Sequence, residues 1–123
     1  MEPKRKDQRP PVYNAARQLY QQFVRSTQKC PINVKRGKIA DIERKIQSIM
    51  EDTAFADEQK ENIPVRLERI AAALKTMDEV RISIRMIHDL RYITKEGFDA
   101  LTNKEDNVVR QLKGWQRASL KNV

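Results

Sequence analysis

Glu79-Val80-Arg81-Ile82-Ser83-Ile84-Arg85-Met86-Ile87-His88-Asp89-Leu90 is the stretch whose reading decides the fold. Wound as a helix at about 100° per residue, its apolar side chains Val80, Ile82, Ile84, Met86, Ile87 and Leu90 spread over an arc of roughly 200°. Arg81, Arg85, His88 and Asp89 share the narrow remainder. A helix packed on one side of a small bundle needs an apolar stripe of only about 100° or somewhat more. The spacing therefore predicts a helix with apolar neighbours on two sides and an arginine-bearing ridge, which describes an assembling helical scaffold and not an enzyme.

The flanking sequence supplies partners for such a helix. Upstream, Ile63, Leu67, Ile70, Leu74 and Met77 extend its stripe, and Pro64 stands where a first helical turn tolerates proline. The helix is expected to run to about residue 91. Tyr13, Ala16, Tyr20 and Phe23 recur at three- and four-residue steps in a first helix that ends before Cys30-Pro31, because proline disfavours α geometry in the residue before it. Ile39, Ile42, Ile46, Ile49 and Met50 form the cleanest stripe. Gly37 near its start suggests a tight approach or a late beginning. The acidic tail from Glu51 to Glu61 is read, in its second half, as a solvated connection. Thr94 is placed as the N-cap of a last helix carrying Leu101, Val108, Leu112 and Trp115, with Ile93 and Phe98 as a hydrophobic staple. The economical fold is all-α, an up-down antiparallel four-helix bundle over residues 12–118, with a flexible basic arm at 1–11 and a tail at 119–123.

Composition narrows the chemistry. In 123 residues, 25 Lys and Arg face 17 Asp and Glu, a net charge of +8 that favours polyanionic partners, nucleic acid before membrane. Apolar runs are too short to span a membrane, and no secretory signal is visible. A lone cysteine, Cys30, precludes an internal disulfide framework and fits a reducing cytoplasm. A lone histidine, His88, leaves no His pair for a metal site and reads as a helix-surface residue beside Asp89. No phosphate loop, dinucleotide fingerprint or nucleophile elbow occurs, so no cofactor, metal or catalytic residue is expected. Asp57-Glu58 and Glu105-Asp106 read as solvated surface charges.

Three basic clusters remain. The first gathers Arg25, Lys29, Lys35, Arg36, Lys38, Arg44 and Lys45. The second is Arg81 and Arg85, with Arg91 just beyond. The third is Arg110, Lys113, Arg117 and Lys121 on the last helix. Arg81 and Arg85 share one helix side at i, i+4, as do Arg110, Lys113 and Arg117 at i, i+3, i+7. Arginine offers phosphates a bidentate fork. The blander reading is a solvated face, with Asp78 and Asp89 in reach of Arg81 and Arg85 and the final cluster favoured by the helix dipole. Ile82, Met86 and Trp115 are the candidate interface residues between copies.

Three segments together bear a resemblance. Val12-Tyr13-Asn14-Ala15, the Val80–Leu90 run and Gln111-Leu112-Lys113-Gly114-Trp115 resemble, in order and spacing, motifs of the accessory variability determinant (Avd) proteins of diversity-generating retroelements. A related branch comprises the four-helix proteins encoded in ribosomal-RNA intervening sequences. The resemblance implies a four-helix protomer in a ring-like homopentamer that partners the retroelement's reverse transcriptase and its template RNA and cDNA. The polymerase performs the chemistry, and the accessory protein is not catalytic. Carried over residue by residue, the basic surface falls on Arg81, Arg85, Arg91 and Lys113, whereas Lys35 and Arg36 rest on charge alone. Two other readings stand beside it: a ribosomal-RNA-intervening-sequence type of protein, and a helical protein–protein adaptor with no role in nucleic-acid binding.

Overall fold

The computed structural model describes residues 9–122, so most of the 1–11 arm and residue 123 lie outside the described residues. Four helices form the bundle. Helix α1 spans Pro11–Ser26, α3 spans Ile63–Asp89 and α4 spans Lys95–Leu120. Between them α2 has three parts: an α turn Ile32–Val34, a π-helical run Lys35–Ile39 and an α-helix Ala40–Glu58. Each helix packs against its neighbours in the chain, and α4 closes the ring against α1. No strand occurs among the described residues.

The inward stripes explain the packing. In α3 the buried residues are Ile70, Ala73, Met77, Val80, Ile84 and Ile87, alternating three- and four-residue steps over a rod about 40 Å long. Leu19 and Phe23 of α1, Ile46 and Ile49 of α2, and Leu101 and Leu112 of α4 meet them, all fully buried. Burying side chains of this size is worth roughly 1.5–3 kcal/mol each, which carries the fold. The core is closed within one chain.

The helix ends follow local chemistry. Thr94 caps α4 by accepting a hydrogen bond from the Gly97 amide at 3.0 Å, and Ile93 is buried beside it with Phe98 packed against the core. Pro64 occupies the first turn of α3, and Asn62 caps that helix. Arg66 donates to the Ala56 and Asp57 carbonyls at 3.0 and 3.3 Å, satisfying the C-terminal end of α2.

Several expectations need correction. The acidic stretch is helical through Glu58, leaving only a short turn before α3, because Thr53 and Ala56 continue the buried stripe. Helix α2 begins earlier than Ile39. Val34 and Ile39 are both buried five residues apart, which an α-helix would set about 140° apart, and the wider π turn lets both face inward. Gly37 is exposed in open space and marks no close approach. Helix α3 stops at Asp89, two residues short of expectation, and α4 continues through Leu120 with Ser119 buried. Pro11 belongs to the first turn of α1 and not to an arm.

Candidate functional site

The wide apolar arc of the decisive stretch divides into two. Val80, Ile84 and Ile87 point into the core, while Ile82, Met86 and Leu90 stand on the opposite side, 62, 50 and 53% exposed. Their i, i+4, i+8 spacing makes one apolar ridge along the outer face of α3. A groove lies on each side of it. The groove toward α2 carries Lys38 and Lys45 with Asp41, which is ion-paired to Arg44. The groove toward α4 carries Arg81, Arg85, Asp89, Glu105 and Asp106, with Phe98 and Thr102 in its wall.

Arg81 is held within this second groove. Its guanidinium pairs with Asp106 of α4, and its Nε lies 3.8 Å from Glu105 Oε1. The partners are thus across the helix pair, not the Asp78 within reach along α3. Glu105 itself is 4% exposed, contrary to the expectation of a solvated carboxylate. Burial pushes its carboxyl up to about 7, Arg81 opposes that rise, Asp106 adds to it and Arg85 opposes it. Its Oε2 accepts no hydrogen bond. The signal lay in spacing, since Glu105 continues the inward stripe between Leu101 and Val108.

The remaining cations fall in two other places. Lys35 and Arg36 on the first turns of α2, Lys29 before them and Arg91 after α3 collect at one end of the bundle. There the Cys30 thiol donates to the Tyr92 carbonyl at 3.2 Å and ties the two turns together. Among the described residues no ion pair engages Lys29, Lys35, Arg36, Lys38, Arg91 or Lys95. Arg91 adopts a left-handed backbone, φ 65°. Its amide donates to the His88 carbonyl and the Tyr92 amide to the Ile87 carbonyl, both at 2.9 Å, a helix-closing arrangement usually built on glycine. Arg110, Lys113 and Arg117 form an exposed row on the C-terminal half of α4, where Arg110 bonds Asn107 at 2.7 Å. The eight basic candidates therefore occupy three separate surfaces.

Trp115 does not join Ile82 and Met86. It is half-buried against the core at the other end of the bundle, with the Arg66 guanidinium 5.4 Å from its ring centre. His88 stacks on Phe98 with centroids 4.2 Å apart. Burial pushes the Cys30 thiol up, against an opposing pull from Lys35. Among the described residues no group of three His, Cys, Asp or Glu is arranged to hold a metal ion. Nor is any described helix long and apolar enough to cross a membrane. No protein-family model matches the chain, and no curated protein matches it either.

Proposed function

We propose that this chain is a cytoplasmic, non-catalytic accessory protein of a diversity-generating retroelement, a four-helix protomer that assembles into a ring-like homopentamer and binds the reverse transcriptase and its template RNA and cDNA. The observation that carries this reading is an exposed apolar ridge, Ile82, Met86 and Leu90, on a bundle whose core is already closed without it. Such a ridge costs free energy in water and is relieved by a partner, at roughly 25 cal/mol per Å² covered. The cations at the Lys35–Arg36–Arg91 end and along Arg110–Lys113–Arg117 supply phosphate contacts outside the ridge, so assembly and polyanion binding use different surfaces. The three sequence segments that resemble accessory variability determinant proteins support the identity of the partners.

A second reading, a helical protein–protein adaptor with no role in nucleic-acid binding, draws on Arg81, whose charge is spent on Asp106 and Glu105. Salt titration of RNA binding separates the two. The accessory-protein reading expects affinity that falls steeply with salt, and a shallower slope in Lys35→Glu with Arg36→Glu at unchanged helicity. Salt-independent or absent binding supports the adaptor. Co-purification with a reverse transcriptase encoded beside the gene tests the polymerase partnership.

A further inference from the structure

Where α1 begins and α4 finishes, the bundle carries a cleft that shares no residue with the ridge. Pro10, Pro11 and Val12 form one wall and Gln111, Gly114 and Trp115 of α4 the other, so every lining residue is uncharged. At about 240 Å³ it is smaller than the roughly 300–1,000 Å³ of small-molecule sites, which suits one planar ring system rather than a whole cofactor. Gly114 keeps it open. A Cβ there would meet no atom within 4 Å and its φ is not positive, so neither packing nor conformation calls for glycine. Glycine is nonetheless the poorest helix former after proline. We propose that the cleft takes one base of a single-stranded nucleic acid, stacked on the Trp115 indole, with the flanking phosphates on Arg110, Lys113 and Arg117. This rests on the nucleic-acid part of the function proposed above.

Helix geometry sets these groups side by side. With Gly114 as reference and about 100° per residue, Gln111 and Trp115 fall within about 100° on one side, and Arg110, Lys113 and Arg117 within about 100° on the other. The glycine is thus the border between an apolar wall and a row of cations. Arg110 and the Gln111 amide both donate to Asn107 Oδ1, at 2.7 and 3.0 Å, which ties the row to the wall. The Arg66 guanidinium of α3 adds positive charge over the Trp115 ring. Neither helix of the cleft supplies a competing carboxylate: α1 has no Asp or Glu along its length, and α4 has none after Asp106. The acidic residues at this end, Asp57, Glu58 and Glu61, belong to the close of α2 and the turn after it, and α2 packs on α1 and α3. An aromatic cleft edged by cations matches a base with a phosphate on each side. A proline-rich peptide would fill the cleft and leave the cations without a partner. Only a single strand frees a base to enter.

Trp115 is the only tryptophan of the chain, so its fluorescence reports on the cleft. The full chain is titrated with single-stranded RNA and DNA of about 12 nucleotides, with the RNA duplex and with an oligoproline peptide. Single strands are expected to bind and to quench Trp115, the tighter of the two identifying the source of the base, and the duplex is expected to leave the fluorescence unchanged. Gly114→Leu covers the cleft beside Gln111, since helical side chains lean toward the N-terminus, and it alters no charge. It is expected to bind single strands about tenfold more weakly, the worth of one stacked base, with an unchanged salt slope and no quenching. A wild-type chain that binds neither single strand overturns the nucleic-acid reading and the cleft together. Binding without quenching, equal quenching by the duplex, or a Gly114→Leu variant that binds as the wild type does overturns the cleft alone. Quenching by oligoproline and not by single strands assigns the cleft to a peptide and also overturns it. Should Gly114→Leu lose helicity, the contrast between single strand and duplex in the wild type decides.

Discussion

The two halves of α3 share an inner face and differ on the outer one. Toward its N-terminus Ile70, Ala73 and Met77 fill the core while Glu68, Ala71, Ala72 and Lys75 meet solvent. Toward its C-terminus Val80, Ile84 and Ile87 fill the core equally well, yet Ile82, Met86 and Leu90 stand outside. Bundle stability requires only the inner set, as the first half demonstrates. The apolar residues on the second half's outer face are thus not needed to close the core, and the proposed interface rests on that difference.

The sharpest way to break that comparison is to truncate one residue from each face. Ile84→Ala is expected to destabilise the chain by about 3 kcal/mol, read by urea denaturation, since it leaves a cavity in a fully buried site. A loss comparable to that from Ile82→Ala would erase the distinction between the faces.

Next in size is the groove beside the ridge. Folded Glu105 holds its proton up to about 7, whereas the unfolded chain releases it near 4.5. The unfolded state therefore binds fewer protons in that window, and stability falls as pH rises through it before levelling above. Glu105→Gln is expected to remove this fall and to gain about 2 kcal/mol at pH 8. Equal pH–stability profiles for variant and wild type would show that Glu105 is solvated after all.

A smaller effect attends the end of the same half-helix. Arg91→Gly is expected to stabilise the chain by about 1 kcal/mol in thermal unfolding, because glycine relieves the left-handed backbone there. Unchanged or lowered stability would mean that the arginine side chain repays its backbone cost through contacts. Smallest of all, Ile82→Ser with Met86→Ser is expected to shift unfolding of the isolated protomer by no more than about 0.5 kcal/mol, as surface substitutions do.

Much of this arrangement is legible in the residues. The stripes of α1, α3 and α4, Pro64 in a first turn and the Thr94 cap follow from local spacing and capping chemistry. So does the excess apolar arc of α3: Val80, Ile82, Ile84 and Met86 come at every second residue, and a helix throws such a series to both sides. What escaped depends on neighbours in space. The π turn of α2 answers to two core positions five residues apart, and Gly37 inside it stands in open space and gives no sign of the wider turn. Arg91 takes a left-handed conformation that its residue type disfavours, because the turn tied by Cys30 and Tyr92 needs it there. Glu105 looked like half of a surface acidic pair, although its place on the stripe between Leu101 and Val108 already set it apart from Asp106. Arg81 found its partners across that same pair of helices, which no spacing along α3 reveals.

Light scattering on the full chain at micromolar concentration, beside the Ile82→Ser, Met86→Ser variant, tests the role of the ridge most directly. The expected result is a wild-type mass several times the 14.4 kDa of one chain and a variant mass close to it. A wild-type mass of 14.4 kDa, or a variant that assembles as the wild type does, would contradict it.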